Sequence, residues 1–568
     1  MIKKIGNKQN FEQGALILLL AALLSKLISA LFKIPLSSNF CLGDLGFGYF
    51  SAAYDLISPI ILLSISGLPV AVSKLISEYN IRENGSEINK VFHISRRLFL
   101  LVGIAMSFAS AVLILVIAVT NGWSDGYFCF LAIIPTLIFS ALASAYRGYF
   151  EGVENMLPPA LSSLVEALCK LILGFGFALV TVKTTANVAL AAAAALSGIT
   201  LGGFFSCLYL HIRFKKGENI GRLCKTEASD NLNLIKSVAL IALPIALYSF
   251  SGSVVGLIDS ITVRWQLSNL LAADYDDFKN MFSEALAELG TDIKDTVIPT
   301  FLYGIRSKAY TLYNIVPTLT VFLGVSAVPH ITKAVKEGDR LLVEKNCLKA
   351  IKLSLFCSFP AGIGLAALCK QIMYLLYGKS ASSDVAGKLL FVFGIAAAFS
   401  GAALVMGNVL QGLGKQNKAL LNVGCGVLAK IVLNLILCSI PSINIYGSAF
   451  STAACFILIF VLNLFSLRKA LGKSFPIYIT VIKLLSCSLL CGLTAFLVAL
   501  IGENVLITIL AILSAVAVYM LLVVVFKVFK LAEIKEIPLI SKIITPFYNK
   551  KYKSYKKTKV KNSFFGFF

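Results

Sequence analysis

The chain has 568 residues, 58% of them hydrophobic and only 14% charged, with a mean hydropathy of +0.86. A water-soluble protein of this size needs far more polar surface to cover its core, so the surplus apolar side chains face lipid. The formal net charge of +23 is confined to short stretches between apolar runs and to the C-terminal tail, which excludes nucleic acid as the partner and points to an anionic membrane surface.

A membrane span needs about 20 consecutive apolar residues. The first such run, 14–36, is too long for a signal-peptide core and has no small-residue cleavage pattern after it, so it reads as the first span. Spans two to seven follow at 45–73, 95–119, 127–150, 157–182, 186–212 and 234–263. Spans eight to fourteen follow at 301–328, 350–378, 385–411, 419–440, 444–467, 479–502 and 504–529. The fold class is therefore an all-α polytopic membrane protein of about fourteen transmembrane helices.

With the N-terminus placed in the cytoplasm, roughly 37 of the 51 Lys and Arg fall on that side and about nine on the other. The predicted location is the bacterial cytoplasmic membrane, with both termini cytoplasmic. The tail segment Lys550–Lys561 (KKYKSYKKTKVK) has the composition of a juxtamembrane polybasic anchor for anionic membrane lipids. Residues 264–300 form an external acidic insertion. Asp277–Leu289 within it has a weak helical period, readable as a lid over the outer mouth or as a solvated helical excursion.

The chain repeats itself. VEALCKLILGF from Val165 resembles CGVLAKIVLNL from Cys425, so that Lys170 meets Lys430, and Glu151-Gly152 meets Gln411-Gly412. Ala53-Tyr54 with Pro59 resembles Ala309-Tyr310 with Pro317. Pro69 with Ser73-Lys74 resembles Pro329 with Thr332-Lys333. Six spans separate the copies, an even number, so the repeats are parallel and predict a V-shaped bundle with the substrate site between its halves. The expected division is an N-lobe over 1–233, a C-lobe over 234–470 that carries the insertion, two further helices over 471–529, and a basic tail over 530–568.

Charged residues inside spans single out the candidate site. A lysine at the centre of a span costs about 2.5–3.5 kcal/mol. Lys26, Lys170 and Lys430 lie near the centres of the first, fifth and eleventh spans. Lys170 follows Glu166 by four residues, the order that favours a helical ion pair, so pairing and ligand binding stay open for it. Lys26 and Lys430 have no carboxylate within a turn and are expected to line a wet cavity. Lys33, Arg306, Lys308 and Lys370 lie nearer span ends, where snorkelling to the interface competes with a binding role; Lys33 and Arg306 are kept as candidates.

A cavity with unpaired cations selects an anionic passenger, and a pyrophosphate on a lipid fits. Asp259 is the clearest intramembrane acid. It is read as an ion-coupling residue for Na+ or H+, with Asn434 and Thr452 as further oxygen donors, or as the partner of Arg264. Asp55 pairs with Lys33 in this reading. The thirteen cysteines show no zinc spacing and behave as small core hydrophobes. The three histidines, His93, His211 and His330, are too dispersed for a metal site or a catalytic triad.

With these residues in view, the stretches GALILLLAALLSKLISALFKIPLS and LGDLGFGYFSAAYDLISPIILLSISGLPVAVSKLISEYN resemble the stage V sporulation protein B branch of the polysaccharide exporters. LIDSITVRWQL at Leu257–Leu267 and NVLQGLGKQNKA at Asn408–Ala419 fit the same branch, which belongs to the multidrug/oligosaccharidyl-lipid/polysaccharide superfamily and is related to MurJ-type lipid II flippases. The resemblance implies two six-helix lobes, two extra C-terminal helices, alternating access and an undecaprenyl-pyrophosphate-linked glycan as cargo. It implies a link to cell-wall synthesis machinery and to sporulation. Its first-span basic residue after serine maps onto Ser25-Lys26, a second onto Lys33, and sodium coupling through the seventh span onto Asp259. The second-span arginine of MurJ-type proteins has no counterpart in Leu62–Gly67 (LLSISG), so a lipid II-like peptidoglycan precursor and a polysaccharide unit both stay open as the cargo. Two other functions compete with flipping and neither is an outcome of it. One is a cation-coupled exporter of cationic drugs in the same fold, which needs acids in the cavity. The other is a polytopic glycosyltransferase, which needs carboxylates or histidines gathered at the membrane surface.

Overall fold

A computed structural model describes residues 11–81, 85–121, 126–216, 231–273, 275–289, 295–472 and 477–529. The basic tail and the first ten residues lie outside the described residues, so the anchor reading of Lys550–Lys561 has no structural counterpart below. The first half is built from α1 (Phe11–Leu36), α2 (Gly43–Ile81), α3 (Gly85–Asn121), α4 (Tyr127–Ile133), α5 (Thr136–Gly152), α6 (Leu157–Cys169), α7 (Phe175–Thr185) and α8 (Val188–Lys215). α9 (Asn231–Ala273) leads to two short helices, α10 (Tyr275–Met281) and α11 (Ser283–Ala287). The second half is α12 (Ile298–Glu337), α13 (Arg340–Ala367), α14 (Cys369–Tyr377), α15 (Ala381–Gly412), α16 (Gln416–Leu437) and α17 (Tyr446–Leu471), followed by α18 (Ile477–Ala499) and α19 (Val505–Val525). No strand occurs among the described residues.

Among the described residues, twelve segments are long and apolar enough to cross a membrane. With α1 and α9, which occupy the first and seventh expected positions, the count reaches the fourteen read from the sequence. The large side chains left exposed are those lipid would cover: Leu101, Phe108, Ile501 and Leu506 are each more than 60% exposed.

Local chemistry sets the helix ends. Asn187 caps α8 by accepting from the amides of Ala189 and Leu190, Asp339 caps α13, and Ser380 caps α15. Gly338, at φ +71°, closes α12 in the left-handed conformation that glycine adopts without strain. The repeat shows in the elements themselves. α2 and α12 are both about 40 residues long and run unbroken through their matched prolines, Pro59 with Pro69 and Pro317 with Pro329. Gly152 and Gly412, matched in sequence, are the last residues of α5 and α15.

α1 to α8 pack mainly on one another, and α12 to α19 do likewise. α9 belongs wholly to neither group: it runs along α2 and also touches α16. The two bundles meet where α2 crosses α12. There Gly48 abuts the backbone of Thr300, and Gly304 abuts the backbone of Asp44. A side chain at either glycine would run into the opposing main chain, so the absence of a Cβ is what lets the helices touch.

The insertion is not a fully solvated excursion. Its described part is two helices broken at Phe282, and Phe278, Phe282, Ala285 and Leu286 are buried, so one face is docked onto the protein. The amide of Ala381 donates to the Glu288 carboxylate (2.6 Å), joining the insertion to the start of α15.

Candidate functional site

Among the described residues three polar contacts tie the bundles together, two near the turn between α1 and α2 and one about three turns along α2. The Ser37 hydroxyl bonds the Tyr377 hydroxyl (3.2 Å), Lys308 pairs with Asp44 (2.6 Å), and Tyr303 donates to Asp55 (2.9 Å). Every one of these side chains is buried. This end of the seam is shut.

Just beneath it lies a buried charge cluster in the second bundle. Asp259 on α9 is fully buried, and both of its oxygens are engaged. Oδ2 receives Arg306 of α12, and Oδ1 receives the Lys430 ammonium (2.8 Å) and the Asn434 amide (2.9 Å) of α16. Lys430 and Asn434 are four residues apart and so share one face of α16. On α17, Ser448, Ser451 and Thr452 share a face in the same way. Thr452 Oγ1 accepts from Lys430 (2.7 Å) and Ser451 donates to Asn434 Oδ1 (2.8 Å), while Ser448 Oγ accepts from Arg306 Nε (3.3 Å). Gly447 permits this closeness, because a Cβ there would lie 2.8 Å from the Cys438 nitrogen.

Arg306 is also enclosed by rings. Its guanidinium carbon lies 4.5 Å from the Tyr310 ring centre, 5.3 Å from Tyr303 and 5.4 Å from Phe393. Such contacts hold a desolvated cation by the ring quadrupole. The repeat-related tyrosine of the first bundle does the same: Lys33 sits 4.2 Å above the centre of Tyr54.

Several sequence readings need correction. Lys430 has no local acid, yet it is clasped by Asp259 from another helix and is fully buried; in this conformation it does not line a wet cavity. Arg306 does not snorkel, because it is wholly buried against Asp259. Asp259 does not pair with Arg264, whose Nη2 donates to Thr300 (2.8 Å). Asp55 accepts from Tyr303 and makes no close ion pair with Lys33, although Lys33 and Arg306 both lie within its electrostatic reach. Lys308 does not snorkel either. It forms the buried cross-bundle pair with Asp44, and nothing local in the sequence marked that contact.

Lys170 does pair with Glu166 (2.8 Å), and Arg147 joins them from α5 (3.0 Å to the same carboxylate). Lys170 opens a single π-helical turn, Lys170–Gly174, whose Gly174 packs against Gly198 of α8. Lys26 is exposed and makes no ion pair or hydrogen bond among the described residues. It precedes Lys33 by seven residues, two turns or about 10 Å, and so projects from the same α1 face that Lys33 turns toward Tyr54.

The candidates thus fall into two groups. Asp259, Arg306, Lys430, Asn434 and Thr452 meet in one dry cluster. Lys26, Lys33 and Lys170 belong to the first bundle and keep at least partial exposure. Around the seam, Lys33, Arg306 and Lys430 outnumber Asp55 and Asp259, leaving one positive charge in excess. A separate cavity of about 1000 Å³ lies beside the insertion, lined by Phe282, Lys370, Lys388, Phe391 and Tyr446 among others; none of the candidate residues reaches it. Among the described residues, no group of three or more His, Cys, Asp or Glu could hold a metal ion.

Residues 11–335 match the family model described as "Polysaccharide biosynthesis protein", and 307–436 match the model "MatE". Among curated proteins of Bacillus subtilis (strain 168), the chain is 27% identical to the uncharacterized membrane protein YabM, covering 83% of this chain and 82% of that one. It is 25% identical to stage V sporulation protein B, over 83% and 86% respectively, and 23% identical to the lipid II flippase MurJ, over 82% and 84%. Among solved structures, lipid II flippase MurJ in an inward closed conformation superposes with a TM-score of 0.65 at 15% identity, covering 89% of this chain and 98% of that one. An inward-facing MATE family multidrug resistance transporter superposes with a TM-score of 0.60 at 14% identity, covering 78% and 99%.

Proposed function

The chain belongs to the polysaccharide biosynthesis protein family of the MOP superfamily, a multi-pass membrane protein with that superfamily's flippase and transporter fold, and from this premise we propose that it flips a polyprenyl-pyrophosphate-linked glycan across the bacterial cytoplasmic membrane. The observation that carries the reading is the pair of cations on one face of α1. Lys26 is exposed and makes no ion pair or hydrogen bond among the described residues, and two turns away on the same face Lys33 is half-buried over Tyr54, beside a seam with a surplus of positive charge.

Pyrophosphate offers two negative charges and many acceptor oxygens, which ammonium groups bind as point charges. Its polyprenyl tail stays in lipid while the head passes between the bundles. In the conformation described, the end bearing the α1–α2 turn is shut, so the head enters from the opposite end, and the distribution of Lys and Arg supports reading that end as the cytoplasmic one. Lys26 is the first cation it meets and Lys33 the next. Lys170 contributes through its pair with Glu166, and the π-turn beneath it gives that helix a place to adjust. Opening of the shut end then requires Asp44–Lys308 and Asp55–Tyr303 to part.

The relatives named MurJ and stage V sporulation protein B support a lipid-linked precursor over a small drug. So does the electrostatics. A cationic drug needs a carboxylate free to receive it, and Asp259 is already held by two cations while Asp55 accepts from Tyr303. The test is flipping in proteoliposomes of a fluorescent polyprenyl-pyrophosphate glycan. Wild-type protein moves it to the far leaflet, and Lys26→Ala with Lys33→Ala abolishes movement at unchanged protein level. Full activity in the double variant would overturn the reading.

A further inference from the structure

The resemblance to sodium-coupled relatives raises the question whether Asp259, Asn434 and Thr452 form a site for a dissolved cation. The oxygens do converge, but the residues do not fit that ligand. The Lys430 ammonium sits among them, 2.8 Å from Asp259 Oδ1 and 2.7 Å from Thr452 Oγ1. Asp259 Oδ2 is taken by Arg306. Asn434 turns its amide nitrogen toward Asp259 and commits its oxygen to Ser451, so it offers no ligand oxygen to a cation at that place. Thr452 donates its own proton to the Ser448 carbonyl (2.7 Å), which leaves its lone pairs aimed at the ammonium. Lys430, Asp259, Asn434 and Thr452 are all fully buried.

We propose that Lys430 is a tethered cation: its ammonium permanently fills a monovalent-cation site built from Asp259 and Thr452, and the protein works without sodium or potassium at this position. A carboxylate this buried must be neutralised. Here the chain supplies the counterions itself, and Arg306 adds a second one that repels any further cation. The inference stands whichever lipid is carried, because it concerns only what occupies the cluster.

It has a direct consequence. Truncation to Lys430→Ala removes the ammonium and leaves a hole of its size beside Asp259 Oδ1 and Thr452 Oγ1. That hole now takes a cation from solution, whereas the wild type does not. The experiment is thermal unfolding of the purified full chain in nanodiscs at constant ionic strength, with choline chloride replaced stepwise by sodium chloride or methylammonium chloride. The wild-type midpoint stays flat in both salts. Lys430→Ala starts lower and climbs with the logarithm of sodium or methylammonium concentration. The double variant Asp259→Asn with Lys430→Ala does not respond.

A wild-type midpoint that rises in sodium over choline, with the rise lost in Asp259→Asn, overturns the proposal. A well-folded Lys430→Ala that ignores every monovalent cation overturns it as well. Should Lys430→Ala not fold, the wild-type titration decides alone: a flat response supports the tethered cation and a sodium-dependent rise refutes it.

Discussion

Replacing Lys308 with methionine removes one half of the buried pair that closes the seam, and the size of the effect follows from where its partner is left. Asp44 is buried, and Lys308 approaches it to 2.6 Å across the bundles. Stranding a buried charge costs about 3–5 kcal/mol. Asp44 keeps some compensation, because it lies in the first turn of α2, where the helix dipole contributes up to about 1–2 kcal/mol. The net penalty is about 2–3 kcal/mol, and it applies only while the seam is shut, since parting the bundles hydrates the carboxylate. At 1.4 kcal/mol per decade, the open population rises roughly 30- to 100-fold. A native reporter sits in the turn between the two helices. Cys41 is buried, and burial pushes its thiol up to about 11, so it reacts slowly with maleimide at neutral pH. Labelling of Cys41 by a membrane-impermeant maleimide, followed by mass spectrometry, should accelerate by that factor in Lys308→Met. It should fall back toward wild type in Asp44→Asn with Lys308→Met, where no charge is stranded. Equal labelling rates in wild type and Lys308→Met would refute the assignment of this pair as the closing contact.

Other expectations follow from the same geometry. Gly304→Ala or Gly48→Ala places a methyl group against the opposing backbone, so either variant should be expressed normally but lose complementation of a flippase-deficient strain, with Cys41 more reactive than in wild type. Lys26→Ala should lower flipping about tenfold or more, the loss of one charge-assisted contact of about 1.5–3 kcal/mol, with no change in unfolding midpoint because Lys26 has no partner to strand among the described residues. Glu166→Gln leaves Arg147 beside Lys170 without their carboxylate and should destabilise the protein by about 1–3 kcal/mol, read as a lower unfolding midpoint in nanodiscs. Glu503 in the α18–α19 turn is held below the ordinary carboxylate range by hydrogen bonds from Lys379 and then Lys370. Its tie to the α14–α15 turn is therefore complete above the ordinary value of about 4.3 and is lost only as pH falls through the lowered one. Hydrogen exchange of residues 500–504, corrected for intrinsic rates, should show constant protection from pH 8 to 5 and loss under stronger acid.

Helix number and order were legible because lipid imposes a length and a composition on a span, and twelve described segments satisfy both, with α1 and α9 at the two remaining expected positions. The matched prolines of α2 and α12, and the matched glycines ending α5 and α15, carried the repeat. The site was only half legible. Lys170 with Glu166 could be read because the partners are one turn apart. Arg306 was placed by its depth along a span, but its burial is decided by Asp259, 47 residues away in sequence. Lys430 has no acid within a turn of its own helix, and its partner arrives from α9. Lys308 reads as a snorkelling span-end charge because nothing local shows that α2 and α12 cross there and bring Asp44 to it. The repeat held an unused signal: Tyr54 and Tyr310 are matched in sequence, and each supports a cation at this seam.

The central claim is that this chain moves a pyrophosphate-bearing lipid by offering it the cations of α1. Its most direct test is transbilayer movement in proteoliposomes of two lipids that share tail and glycan and differ only in carrying pyrophosphate or a neutral linkage. The account predicts that the pyrophosphate lipid reaches the far leaflet and the neutral one does not. Equal movement of both, or movement of a cationic dye in place of either, would contradict it.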